Sequence, residues 1–124
     1  MNTQELVTQI VVSLDKHKAA DIRVLRVTDV TSLADYFVIA AGGSSTQVRS
    51  LSDYVEFELG ERGVRPDHTE GYQTALWTLL DYGQVVVHIL QEETRNFYDL
   101  ERLWQDAEEL DPMIFLEGNG NEEV

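Results

Sequence analysis

One apolar run constrains the fold more than any other segment of this chain. The residues Tyr36-Phe-Val-Ile-Ala-Ala41 are all apolar, with no polar residue alternating between them. A strand with one face in water would alternate, so this pattern predicts a strand that is covered on both faces. We therefore expect it at the centre of a β-sheet, with other elements packed against that sheet.

Two helices are predicted, one before and one after this run. A stripe of apolar residues at three- and four-residue spacing extends from Leu6 to Leu14, and a similar stripe extends from Val48 to Leu59. The second helix is expected to end at Gly60 or Gly63. Between the first helix and the central run, Ile22–Val27 is short and rich in β-branched residues, which predicts a neighbouring strand.

A β-hairpin is predicted further along the chain. Trp77–Leu80 and Val85–Leu90 are two apolar segments joined by Asp81-Tyr-Gly-Gln84, and Gly83 can supply the positive φ that a tight turn needs. The preceding segment, Pro66–Gly71, predicts an irregular link or a short edge strand, because proline cannot donate to a ladder.

The last predicted element is a helix from Leu100 to about Glu109, capped by Asp99 and preceded by a short helical turn at Glu92. The resulting order, α-β-β-α-(β)-β-β-α, belongs to the α/β (α+β) class and predicts a mixed β-sheet of about five strands with helices packed on it. We expect a single domain over residues 1–112. Residues 113–124 are expected to form an acidic, disordered tail.

The charge balance narrows the classes of partner. Nine Lys and Arg stand against 23 Asp and Glu, which gives a net charge of -14 at pH 7. Direct binding to DNA or RNA draws affinity from basic residues on phosphates, so this chain is a poor candidate for it, and a basic protein partner is favoured. The alternative is that the excess of acidic residues only keeps the chain soluble and selects no partner. With no cysteine, no signal peptide and no apolar stretch long enough for a bilayer, we expect a cytoplasmic protein without membrane contact.

The turn Gly42-Gly-Ser-Ser45 has two interpretations. It can be a phosphate cradle at a helix N-terminus, or a strand-to-helix turn in which a serine caps the second helix. A metal-dependent nucleotidyl transfer site would also need a pair of carboxylates one residue apart on a strand, and the sequence has none after this turn. The three histidines lack zinc spacing and no nucleophile elbow is present. We therefore predict no cofactor, no metal and no catalysis, with a nucleotide-binding enzyme as the alternative.

Aromatic residues next to acidic ones provide the most informative signal for binding. Trp77, Tyr82, Tyr98 and Trp104 are each close in sequence to an Asp or Glu. Aromatic side chains are favoured as interface anchors, and an acidic rim would select a basic partner. The alternative is that the two tryptophans belong to the core. For His88, a half-buried residue bonded to a neighbour is the more ordinary interpretation than a catalytic base.

Three blocks of residues resemble the ribosomal silencing factor family, also called Iojap. They are Asp35-Tyr-Phe-Val-Ile-Ala-Ala-Gly-Gly-Ser-Ser, Leu79-Leu-Asp-Tyr-Gly-Gln-Val-Val-Val-His-Ile and Phe97-Tyr-Asp-Leu-Glu-Arg-Leu-Trp104. The likeness spans roughly Leu6 to Ala107 and leaves the segment 113–124 outside. Gln84 departs from the Asp that many members carry at this position, which puts any charged contact there in doubt.

This resemblance implies a non-enzymatic factor with a nucleotidyltransferase-like fold that lacks the active carboxylates. Such a factor binds ribosomal protein fourteen of the large ribosomal subunit, blocks joining of the small subunit and represses translation. Its second and third blocks carry the partner-binding surface, which in this chain matches Trp77, Leu80, Asp81, Tyr82, His88, Tyr98, Leu100, Glu101 and Arg102. A homodimer of the free chain, competing with partner binding, is a further hypothesis.

Overall fold

The computed structural model describes residues 1–117, apart from the side chains of Glu101 and Leu103. Its strands form one sheet in the order β3-β4-β5-β2-β1-β6. The pair β2 and β5 is parallel, and every other neighbouring pair is antiparallel. In chain order the strands are β1 (Ala20–Arg26), β2 (Tyr36–Gly42), β3 (His68–Glu70), β4 (Trp77–Asp81), β5 (Val85–Gln91) and β6 (Glu108–Leu110).

Two long helices cover one face of the sheet. Helix α1 is Thr3–Lys16 and helix α2 is Ser45–Gly60. Asn2 caps α1 by accepting a hydrogen bond from the Glu5 N–H, and Ser44 caps α2 in the same way, as short polar side chains do at helix N-termini. Both helices turn their predicted apolar stripes to the sheet, which confirms the interpretation of the 3.6-residue period.

The central strand β2 is covered on both faces, as its uninterrupted apolar run predicts. Val38 and Ala40 contribute to the larger core under α1 and α2, whereas Phe37 and Ile39 contribute to a smaller cluster on the other face of the sheet. This second face also receives Leu100 and is partly covered by Trp104. Each large apolar side chain that is fully buried in these clusters contributes roughly 1.5–3 kcal/mol to stability.

The predicted hairpin is confirmed with its turn. Strands β4 and β5 pair antiparallel, and Gly83 at the turn has a φ of 88°. The Gly83 N–H donates to Asp81 Oδ1 at 2.8 Å, so the aspartate side chain helps to close the turn. The segment around Pro66 forms β3 at the edge of the sheet, where a proline next to the strand is tolerated.

The prediction of a helix from Leu100 to Glu109 is wrong. A short helix α3 (Glu92–Tyr98) is followed by a single turn, α4 (Leu100–Leu103), and residues Glu108–Leu110 form the sixth strand. Asp99 is left-handed, with a φ of 46°, and its side chain makes no capping hydrogen bond to α4. Pairing of β6 with the open edge of β1 satisfies backbone groups that a helix would have left to solvent, and Glu108 and Glu109 reach Arg26 and Arg23 across this pair.

The ordered chain continues beyond the predicted boundary at 112. Residues 113–117 are helical, and Phe115 is only 6% exposed because it packs into the core under α1 and α2. The prediction of a disordered tail is therefore wrong for residues 113–117. Residues 118–124 lie outside the described part of the chain. Within residues 1–117, no helix is both long enough and apolar enough to span a membrane.

Candidate protein-binding surface

Four of the nine predicted partner-binding residues are buried in this structure. Leu80 and Tyr82 belong to the core under α1 and α2, and Leu100 belongs to the cluster on the second face. His88 is buried on that same second face. Side chains in β4 and β5 alternate between the two faces of the sheet. Leu80 therefore lies on the face under α1 and α2, and His88 lies on the second face.

Of the five other predicted residues, Trp77 and Tyr98 lie together and Asp81 lies apart from them. Tyr98 is exposed and Trp77 half-buried beside it, whereas Asp81 lies at the far end of β4, about 13 Å along the strand from Trp77. Arg102 is exposed on α4. The side chain of Glu101 lies outside the described part of the structure.

A patch of exposed apolar side chains surrounds Tyr98. Phe97 is 81% exposed, Leu76 52% and Tyr98 51%, which is unusual for large apolar residues that lie next to one another. With Trp77 they line a shallow groove of about 370 Å³, bounded by Glu93 and Thr94. We call these six residues the Phe97 patch. The sequence analysis does not predict Leu76, Glu93, Thr94 or Phe97, although Phe97 is the first residue of the third block that resembles the family.

Six aromatic rings form a continuous row from this patch into the second face of the sheet. In order they are Phe97, Tyr98, Trp77, His88, Phe37 and Trp104, with successive ring centroids 5.1, 5.3, 5.9, 5.0 and 5.0 Å apart. The spacing is that of favourable edge-to-face and tilted aromatic pairs. The row connects the exposed rings of Phe97 and Tyr98 to buried rings, so the patch packs against the interior of the second face.

The half-buried Trp77 is linked to the interior through its indole N–H. Trp77 Nε1 donates to His88 Nδ1 at 3.1 Å. Burial lowers the pKa of His88 to about 4, so the imidazole is neutral at pH 7. Since Nδ1 accepts, the proton of the neutral ring is on Nε2. This confirms the interpretation of His88 as a residue bonded to a neighbour.

Helix α3, which presents Phe97 and Tyr98, is attached to the far part of the sheet by a buried arginine. Arg95 Nη1 donates to the Asp21 carbonyl, and Nη2 lies 3.4 Å from Asp21 Oδ2. At the end of α3, the left-handed Asp99 reverses the chain. Together these contacts fix the helix that displays the patch.

Comparison with known proteins identifies the family. The family model described as "Ribosomal silencing factor during starvation" matches residues 1–123. The chain belongs to this family. The match extends past Ala107 and includes the segment from 113 to 123, which the sequence resemblance left outside.

Relatives and solved structures agree with this assignment. The chain is 36% identical to "Ribosomal silencing factor RsfS" of Halalkalibacterium halodurans, over 95% of this chain and 97% of the relative. It is also 36% identical to "Protein Iojap, chloroplastic" of Zea mays, over 73% of this chain and 39% of that protein. A crystal structure from Chromobacterium violaceum has a TM-score of 0.82 at 36% identity and covers 85% of this chain and 88% of its own.

In this chain, the Gly42-Gly43 turn is used by the helix that follows it. The Gly43 N–H donates to Gln47 Oε1 at 2.6 Å, and the Gln47 N–H donates to Ser44 Oγ at 3.1 Å. Two of the N–H groups at this turn, those of Gly43 and Gln47, are therefore engaged within the chain. This geometry is that of the strand-to-helix turn with a serine cap.

The histidines have separate surroundings. His17 stacks on Tyr54 with ring centroids 3.5 Å apart, and His68 lies 3.1 Å from Glu70 at the edge strand. His88 is on the second face. Among residues 1–117, no group of three or more His, Cys, Asp or Glu side chains is arranged to hold a metal ion.

Proposed function

We propose that this ribosomal silencing factor binds the large ribosomal subunit through ribosomal protein fourteen and represses translation by occupying space that the small subunit needs. The Phe97 patch is the contact surface, and the observation that carries the proposal is its exposure. Three large apolar side chains there are more than half exposed in the free chain. An exposed cluster of this kind marks a site of protein contact.

The composition of the patch suits a basic protein. Phe97, Tyr98 and Trp77 supply aromatic area at small cost in side-chain entropy, as interface anchors do. The exposed acids Glu92 and Glu93 on the same helix, with Asp99 at its end, give the rim a negative charge. A partner rich in Lys and Arg around an apolar depression would match both features.

The proposed mechanism is steric and makes or breaks no bond. The names of the relatives describe silencing of ribosomes and, for a Mus musculus relative, "Mitochondrial assembly of ribosomal large subunit protein 1". The rival is a nucleotidyltransferase-like, nucleotide-binding enzyme that uses Gly43, Ser44 and Asp81. Calorimetry with Mg²⁺ and nucleoside triphosphates separates the two, because tight binding of nucleotide would support the enzyme.

The direct test is co-sedimentation with purified large subunits. Tyr98→Ala removes one exposed anchor, and truncation of an anchor costs about 1–3 kcal/mol, which corresponds to roughly five- to 150-fold weaker binding. Phe57→Ala is the matched control, because Phe57 is 65% exposed but lies on α2, over the other face of the sheet. Equal binding of wild type and Tyr98→Ala would defeat the proposal.

Two further parts of the proposal concern where the protein acts and whether it self-associates. We infer action in the cytoplasm, although some relatives are named as chloroplastic or mitochondrial. We also propose that a second copy can cover the Phe97 patch when no ribosome is available, because an exposed apolar surface can be self-complementary. Sedimentation of the free chain over a range of concentrations tests this, and Phe97→Ala should shift it toward monomer.

A further inference from the structure

We infer that His88 is a positioning residue of the Phe97 patch, which acts by holding the Trp77 indole in its binding orientation through the Nε1–H to Nδ1 hydrogen bond. The inference rests on the proposed function, since it assigns the patch to partner binding. It also replaces the prediction that His88 contacts the partner itself, because His88 is buried.

The register of the hairpin sets up this contact. Leu79 pairs with His88 and Trp77 pairs with Leu90, so His88 and Trp77 are diagonal neighbours on the same face of the sheet. At this separation only long or aromatic side chains can interact. The indole bridges the distance, and its ring centroid then lies 5.3 Å from that of Tyr98. The indole orientation therefore determines how the patch is shaped.

The hydrogen bond has a directional effect that packing alone lacks. An indole has a single donor and no acceptor, so a half-buried indole rotates until its N–H finds a partner. On the second face of the sheet, the hydrogen-bond acceptor for the Trp77 N–H is His88 Nδ1, at 3.1 Å. Without this acceptor, the N–H would turn to water, and the ring plane against which Tyr98 packs would turn with it.

Stability does not account for a histidine at this position. The surrounding cluster is apolar, and His88 Nε2 is buried with no hydrogen-bond partner among the described residues. A buried donor without a partner costs free energy, and an apolar residue of similar size would avoid that cost. What histidine adds is the acceptor at Nδ1, which serves Trp77.

Two substitutions separate positioning from stability. His88→Leu removes both ring nitrogens, so the variant should unfold at the same urea concentration as wild type or a higher one. It should bind large subunits about three- to tenfold more weakly, the range expected for one net hydrogen bond. His88→Asn retains an acceptor near the position of Nδ1 but buries an amide, so it should be less stable and still bind within about twofold of wild type.

The indole N–H provides an independent spectroscopic readout. The chain has two tryptophans, so ¹⁵N-labelled protein gives two indole signals, and Trp77→Phe identifies the Trp77 signal. In His88→Leu this signal should move to the position of a solvent-bonded indole, whereas His88→Asn should retain most of the wild-type shift. In a Trp77→Phe background, His88→Leu should add no further loss of binding, because the donor is already gone.

The outcomes distinguish this inference from the proposed function. If Tyr98→Ala weakens binding but His88→Leu does not, the positioning role is overturned and the patch remains the contact surface. If both His88 variants weaken binding in proportion to lost stability, His88 is only structural and the inference is also overturned. If neither Tyr98→Ala nor His88→Leu changes binding, the proposed function fails and the inference fails with it.

Discussion

Glu58 is the residue that joins the two long helices most directly. Its carboxylate accepts a hydrogen bond from Ser13 on α1, lies 3.1 Å from Lys16 Nζ and lies 3.2 Å from His17 Nε2. Partial burial opposes ionisation, but the hydrogen bonds from these three partners outweigh it and hold the pKa of Glu58 below its usual value. A single carboxylate on α2 therefore organises the end of α1.

Glu58 should consequently make folding stability depend on pH. Because its pKa is lower in the folded chain than in the unfolded one, its contribution is fully present above the unfolded value and is lost as the pH falls through the folded value. We expect Glu58→Gln to be less stable than wild type at pH 7 and to approach wild-type stability as the pH falls below the folded pKa of Glu58. Urea unfolding at a series of pH values measures this difference, and a difference that stays constant with pH would contradict the assignment.

The aromatic residue types of the proposed binding surface are predictable from the sequence, but their exposure is not. Trp77 and Tyr98 are predicted because aromatic residues near acids favour interfaces, and the structure places these two rings side by side. Tyr82 was selected for the same reason and is buried. Its position at a hairpin turn indicated exposure, yet its ring packs into the core under α1 and α2. Which way a turn residue points depends on packing with distant elements.

At the scale of elements, the turn before β4 determines where Trp77 begins its strand. Gly71 has a φ of 80°, and the Ala75 N–H donates to the Gly71 carbonyl at 2.9 Å. A Cβ on Gly71 would lie 2.0 Å from the Trp77 carbonyl oxygen. The backbone passes so close to itself that only glycine fits.

Gly71→Ala should therefore destabilise the chain and disturb the Phe97 patch. The left-handed backbone and the contact with Trp77 together should cost on the order of 2–4 kcal/mol. Gly60→Ala is the matched control, because a Cβ on Gly60 meets nothing within 4 Å and its backbone is not left-handed. That change should be neutral or slightly stabilising. Thermal unfolding compares the two variants, and equal melting temperatures would contradict the argument.

Local patterns predicted most elements, and distant contacts explain the ones they missed. The stripe from Leu6 to Leu14 and the run from Tyr36 to Ala41 carry their periodicity within the element itself, so α1 and β2 were predicted correctly. Strand β6 depends on β1, for example through Arg26 Nη1 and Glu108 Oε1, which are 3.4 Å apart but separated by 82 residues in sequence. The burial of Phe115 likewise depends on α1 and α2.

At the scale of the whole molecule, the two faces of the sheet are covered differently. Helices α1 and α2 cover one face, whereas α3, α4 and Trp104 cover only part of the other. The uncovered margin of this second face is where the Phe97 patch lies. The apolar run in β2 predicts cover on both faces, and the structure shows where that cover ends on the second face.

The net charge of -14 leads to a prediction about association rates that also rests on the proposed function. An acidic chain is attracted to an isolated basic ribosomal protein, so added salt should lower the association rate constant by about tenfold or more. On an intact large subunit the RNA phosphates repel the same chain, so the salt dependence should be weaker there. Stopped-flow measurements on both partners test this.

Tyr98→Ala separates the electrostatic contribution from the contact itself. The substitution removes apolar area and no charge, so it should raise the dissociation rate constant while the salt dependence of association stays as in wild type. Glu93→Gln, which neutralises one acid at the edge of the patch, should instead reduce that salt dependence. An association rate with the isolated ribosomal protein that does not change with salt would show that contact area alone, without charge, selects the partner.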